Sequence, residues 1–213
     1  MADSGKIRVG IVGLSPQRGF ASIAHIPALH ALSDFEIAAV CTTRQESADA
    51  AARHFGIALA FSNAEELARH PGVDLVTVTV KVPDHYRPVM AAINAGKHVY
   101  CEWPLGRNTA EAQQMLDAAE RKGVRHAVGL QGQWSPTVDY VRDLVTDGYV
   151  GKVLTATLIG CAPKLYDWGL ARRARTTASP IFASAAHQRQ PPAHHAEFFR
   201  CSIKKTRTDS RRY

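Results

Sequence analysis

The sequence predicts an α/β fold, a doubly wound parallel sheet with helices on both faces. Three observations carry that prediction. Short apolar, β-branched runs alternate with single helical segments from Ile7 to about residue 146, the order that builds right-handed βαβ units. The runs Ile7–Val12 and 74–80 are near-continuously apolar, as strands covered on both faces are. Between the first strand and the first helix stands a glycine-punctuated turn, Gly13-Leu-Ser-Pro-Gln-Arg-Gly19. A strand, a Gly-rich turn and a helix start place backbone N–H groups where a pyrophosphate binds.

The elements follow in order. Strand Ile7–Val12 leads through the turn to an Ala/Ile/Leu-rich helix, and 35–42 forms the second strand. Helix Gln45–Phe55 sets Ala48, Ala51, Ala52 and Phe55 on one face. A short strand at 57–61 precedes helix Ala64–Arg69, with Asn63 as its N-cap and Glu65 and Glu66 in the first turn. Strand 74–80, helix 84–95 closed by Gly96, strand 97–101 and helix 108–122 stopped by Gly123 continue the alternation. Strand 124–130 and helix 135–146 complete it, and 152–160 alternates as one more strand. The expected domains are a Rossmann-type dinucleotide-binding domain at 1–131, the start of a second α/β domain at 132–163, and an irregular basic tail at 164–213.

In such a sheet ligands bind beyond the carboxyl ends of the strands, so the residues after each strand are the candidates. After the first come Gly13, Leu14, Ser15 and Gly19, although Ser15 stands where the usual fingerprint has its second glycine. After the second, Thr42, Thr43 and Arg44 replace the acid that usually meets an NAD ribose. Two hydroxyls and a guanidinium suit a 2′-phosphate, which favours NADP over NAD. Beyond 74–80 lie Lys81, Pro83 and His85, with Tyr86 beside them, placed to line a cofactor groove. Glu102 and Trp103 follow the fifth strand and Gln131 the sixth. No nucleophilic triad, paired carboxylates or metal-ligand spacing stands out, and the adjacent His194 and His195 are poorly set to chelate. The catalytic residues stay unassigned.

The net charge of +7 is confined to one end. Through Cys161 there are 15 Lys and Arg against 16 Asp and Glu, and beyond it 11 against 3. That tail lacks interleaved aromatics and any DNA-binding motif, so nucleic acid is not an expected partner. No apolar run approaches the roughly 20 residues of a bilayer span, and the first residues do not form a signal peptide. The scattered Cys41, Cys101, Cys161 and Cys201 fit neither metal nor redox spacing. A cytoplasmic location is expected.

The order Gly-Ile-Val-Gly-Leu, Ala-His-Ile-Pro-Ala-Leu and Ala-Gly-Lys-His-Val-Tyr-Cys-Glu-Trp-Pro-Leu resembles the Gfo/Idh/MocA family of NAD(P)-dependent oxidoreductases. The motifs Val-Lys-Val-Pro-Asp-His-Tyr, Glu-Trp and Leu-Gln-Gly-x-x-Ser-Pro resemble its Gal80-like branch, which includes a dinucleotide-binding transcriptional regulator. The likeness covers residues 6 to 160. It implies a bound NAD(P), hydride transfer with a sugar-like or polyol substrate, and a second domain supplying catalytic groups and the dimer interface. An oligomer is therefore expected only where that domain is present. The family's Glu-Lys-Pro motif lies near the nicotinamide, and Trp103 takes the place of its lysine. An indole cannot act as an ammonium acid, so the branch also implies the alternative of a non-catalytic regulator. The pattern stops past Pro163, with no Gly-rich His motif in the tail, which reads as a truncation or frameshift and implies weak or absent turnover by this chain. His187, His194 and His195 take no catalytic role on this likeness.

Overall fold

The computed structural model describes residues 5–157. Among these residues, six strands form one sheet: β1 (Ile7–Val12), β2 (Phe35–Cys41), β3 (Leu59–Phe61), β4 (Leu75–Val78), β5 (His98–Glu102) and β6 (His126–Gly129). Their order is β3-β2-β1-β4-β5-β6, and every neighbouring pair runs parallel. The winding reverses between β1 and β4, which opens a crevice at their carboxyl ends. Val12 pairs with both Cys41 and Val78, and Val78 with Cys101, so four strands end level there.

The helices are α1 (Ile26–His30), α2 (Gln45–Phe55), α3 (Ala64–Arg69), α4 (Tyr86–Asn94), α5 (Thr109–Lys122) and α6 (Pro136–Thr146). One face of the sheet packs Val9, Ile11, Leu75 and Tyr100 against Leu29 of α1 and Ala51 of α2. The other packs Val76, Val78, Val99 and Cys101 against Leu67, Ile93 and Met115 of α3, α4 and α5. Helices as short as α1 and α3 are not stable alone. Burial holds them, at about 1.5–3 kcal/mol for each fully enclosed Leu, Ile or Val. Asn63 and Asn108 cap α3 and α5 by accepting the N–H of Glu65 at 2.8 Å and of Glu111 at 2.9 Å. On the α5 side, a hollow of about 350 Å³ lies beside edge strand β6, lined by Ile93, Leu116 and Val128 among others.

Three expectations change. The first helix is broken: Ala21–His25 is a wide π-type turn in which the Ile26 N–H reaches Ala21 O, and α1 starts only after it. Pro27 has no N–H to offer Ile23, so a regular α-ladder cannot run through this point. The segment 84–95 shortens to α4, preceded by a 3₁₀ turn at Val82–Asp84, because Pro88 has no N–H to offer Asp84 O. The expected strand at 152–160 does not form over its described part, 152–157, which is irregular and exposed. A strand needs a neighbouring ladder, and none is paired with it among the described residues. Residues 158–160 and the tail, with Cys161, Cys201 and its histidines, lie outside the described residues.

The described residues divide into two compact units between Val138 and Asp139. The first holds the sheet and α1–α5. Within its described residues, the second holds most of α6 and the irregular 147–157, with Tyr140, Val141 and Leu154 exposed. Among the described residues no helix is long and apolar enough to cross a membrane.

Candidate functional site

The turn after β1 is clamped from both sides. Gly13 N–H donates to Cys41 O at 2.9 Å, and Val12 O accepts from Thr79 N at 2.9 Å and from Thr79 Oγ1 at 3.0 Å. Gly13 has φ +104°, and a Cβ there would stand 2.8 Å from Val80 Cγ1 and 3.0 Å from Val80 N. Glycine is required at this position on both counts. Gly19 has φ +101° with open space around it, and its carbonyl accepts Ser22 Oγ at 2.9 Å as the chain enters the wide turn. Leu14 turns its side chain into the core at 1% exposure, leaving its backbone alone for a ligand. Ser15 is half-buried and lies 3.4 Å from Gln17 Oε1. The segment 13–19 contains no acidic residue, and Arg18 is its one charged side chain.

At the end of β2, Thr42 Oγ1 donates to Arg44 O at 2.9 Å and lies 2.7 Å from Ser47 Oγ, which folds the turn back on itself. Thr43 and Arg44 are exposed. Lys81 and Pro83 are exposed beyond β4.

His85 does not line a groove. Its side chain is 1% exposed, and Nε2 donates to Val80 O at 2.9 Å. Its Nδ1 lies 3.4 Å from Cys101 Sγ and 3.3 Å from Leu105 O. Burial, with the charge of Glu102 adding to it, pushes the Cys101 thiol up to about 12, so Sγ stays protonated and donates to Nδ1. The ring is a strut between the chain leaving β4 and the end of β5. Its place at a Pro-opened turn suggested exposure, but a buried imidazole must spend both nitrogens locally. Tyr86 turns away as well, donating to Gln114 Oε1 at 2.9 Å.

Glu102 closes β5 beside the exposed Trp103, whose peptide to Pro104 is cis. The loop behind them is anchored by Arg107: its N–H donates to Glu111 Oε2 at 2.9 Å and its guanidinium binds Oε1 of the same carboxylate. This pairing holds the Glu111 carboxyl below its ordinary range. The residue missed in the sequence is His25. Fully buried, it donates from Nε2 to Glu102 Oε1 at 2.5 Å and packs edge-on against Phe20 and Tyr100. A usable signal existed: His25 is four residues from both Ala21 and Leu29, on the core side of the segment, where a polar group requires a partner. Gln131 opens a 3₁₀ turn after β6, and its side chain lies outside the described residues. It is three strands from Gly13, roughly 14 Å at the usual spacing. Topology thus brings Gly13–Gly19, Thr42–Arg44, Lys81, Glu102 and Trp103 to one edge of the sheet. Gln131 follows at its far side, while the side chains of Leu14 and His85 are enclosed.

Known proteins are similar over this same region. The chain is 38% identical over 162 residues to the dehydrogenase aclE of Aspergillus oryzae, covering 73% of this chain and 44% of that protein. It is 32% identical over 149 residues to scyllo-inositol 2-dehydrogenase (NADP(+)) IolW of Bacillus subtilis, covering 70% of this chain and 40% of that one. The crystal structure of a super-repressor mutant of Gal80p from Saccharomyces cerevisiae superposes with a TM-score of 0.63 at 30% identity, over 70% of this chain and 40% of that one. This chain therefore spans about two fifths of the length of the proteins it matches. Residues 7–130 match the Gfo/Idh/MocA profile, described as an oxidoreductase family with an NAD-binding Rossmann fold, and the chain belongs to that family.

Proposed function

We propose that this chain binds a nicotinamide dinucleotide across the carboxyl edge of its sheet, as the cofactor part of an oxidoreductase acting on a sugar-like or polyol alcohol. The observation that carries this reading is the β1 turn, where the positive-φ Gly13 lies tight against Val80 at the crevice between β1 and β4. The residues present fit the group. The turn offers backbone N–H donors, Ser15 and the Arg18 guanidinium to a pyrophosphate, with no carboxylate to repel it. Thr42, Thr43 and the exposed Arg44 would meet the adenosine ribose, and their chemistry favours a 2′-phosphate, hence NADP. Glu102 and Trp103 would border the nicotinamide half, with Lys81 between the two halves and Gln131 at the far side. A bound nicotinamide supplies hydride exchange. The residues at the strand ends would hold and orient it. The polyol class is supported by the likeness to IolW, whose name gives scyllo-inositol and NADP(+).

A second reading, a dinucleotide-binding regulator without turnover, is favoured by Trp103 standing where the family carries lysine and by the likeness to Gal80p. Calorimetric titration with NADP⁺ and NAD⁺ tests the shared part. Saturable binding, tighter for NADP⁺, is expected, and absence of saturation by either would overturn both readings. Inositol- or sugar-dependent reduction of the bound cofactor would support the oxidoreductase reading. Binding without turnover would support the regulator only where the second domain implied by the family is present.

A further inference from the structure

Glu102 stands at the end of β5, on the far side of the crevice from the turn that follows β2. In a doubly wound sheet the adenosine half of a dinucleotide lies over the first βαβ strands, so the end of β5 faces the nicotinamide half. Its carboxylate is 14% exposed, open to the edge yet enclosed on its inner side. That inner side is His25. The imidazole is fully buried between the rings of Phe20 and Tyr100, at centroid distances of 5.7 and 5.4 Å, both edge-on. Its Nε2–H meets Glu102 Oε1 at 2.5 Å. Two rings fix the plane of the imidazole, and the imidazole fixes the carboxylate. A free glutamate would lose rotamer freedom on meeting a ligand, whereas this one is already held. His25 also ends the wide turn that follows Gly19, so one side chain couples the pyrophosphate turn to the strand end opposite it.

We infer that His25 is a positioning residue for the nicotinamide half of the site: through Nε2–H it holds the Glu102 carboxylate ready to accept hydroxyl groups of the ribose beside the nicotinamide. The inference rests on the dinucleotide reading above. It makes His25 a residue whose loss is felt by one half of the ligand and not by the other, which a purely structural histidine would not produce.

The test is a calorimetric comparison of the full chain and its His25→Leu, His25→Gln and Glu102→Gln variants. Each is titrated with NADP⁺ and with adenosine 2′,5′-bisphosphate, the adenosine part alone. His25→Leu should weaken NADP⁺ about tenfold, as expected for a lost hydrogen bond to a charged group, with the bisphosphate unchanged. His25→Gln, which keeps an amide donor near the position of Nε2, should recover most of that loss. Glu102→Gln should weaken NADP⁺ and spare the bisphosphate, and adding His25→Leu to it should cost no more. If His25→Leu does not fold, the Glu102→Gln and His25→Gln titrations still decide. Parallel loss of both ligands, unchanged NADP⁺ binding in His25→Leu or Glu102→Gln, or His25→Gln weakened as much as His25→Leu would overturn the inference. Failure of the unmodified chain to bind NADP⁺ or NAD⁺ would instead remove the site reading and this inference with it. Binding by that chain with unaffected variants overturns the role of His25 alone.

Discussion

At the end of β2 the chain presents Thr43 and Arg44 to solvent on a short turn whose internal bonds run from Thr42 to Arg44 and Ser47. At the ends of β4 and β5, by contrast, two buried imidazoles stitch the structure together. His85 joins Val80 to Cys101, and His25 joins the first helical turn to Glu102. One end of the crevice is a solvent-exposed turn and the other a braced wall. Where a site must read a variable feature, such as a ribose with or without its 2′-phosphate, a loop serves. Where it must hold a reacting ring to within a fraction of an ångström, bracing serves better.

Removing the brace should do the most damage. His85→Ala deletes a buried ring and leaves Val80 O and the Cys101 thiol without it, so urea unfolding should show a loss of about 3 kcal/mol. A loss below about 1 kcal/mol would mean that the strut is ornamental. Next comes the turn between the two ends. Gly13→Ala drives a Cβ into Val80 and forces a non-glycine residue to positive φ, and should cost about 2–3 kcal/mol together with dinucleotide binding. Gly19→Ala has the same positive φ but open space, so only the conformational penalty of about 1 kcal/mol remains. Equal losses at the two sites would show that packing against Val80 plays no part.

The loop end predicts a smaller and different effect. Arg44→Ala should weaken NADP⁺ about tenfold, leave NAD⁺ unchanged, and alter stability by less than about 0.5 kcal/mol. Equal weakening of both cofactors would put Arg44 outside the 2′-position. The smallest effect belongs to the sheet's opposite edge, where Arg8 grips Asp74 through two bonds of 2.8 and 2.7 Å. The Arg8 guanidinium holds the Asp74 carboxyl below its usual value. The stabilisation is therefore present above the ordinary carboxylate pKa and fades as pH falls through the lowered one. Both side chains are more than a third exposed, so Asp74→Asn should cost less than about 1 kcal/mol at neutral pH. Unfolding measured from pH 7 down to pH 3 should show the gap between the two proteins closing in acid.

The periodic parts of the chain were readable because central strands such as β1 and β4 are buried on both faces and helices such as α2 and α4 on one. Apolar runs and the spacing of Ala48, Ala51 and Ala52 leave little choice. Asn63 was legible as a cap for the same local reason. What local pattern could not show was side-chain direction at the strand ends. His85 and Leu14 have the position of ligand contacts, yet both turn inward, because the level ends of β1, β4 and β5 leave space that must be filled. His25 was hidden for the converse reason: its partner is 77 residues away in sequence. Over 152–157, the described part of the strand expected at 152–160, no strand forms, because alternation describes a face whereas a strand also needs a neighbour.

The central claim is that a dinucleotide lies across the carboxyl edge, and amide chemical-shift mapping during titration with NADP⁺ tests it most directly. The account predicts shifts concentrated at Gly13–Gly19, Thr42–Arg44 and Glu102–Trp103, with Lys97, His98 and Gly123 at the opposite edge unmoved. Shifts centred on the hollow around Leu116 and Val128, or no saturable shifts at all, would contradict it.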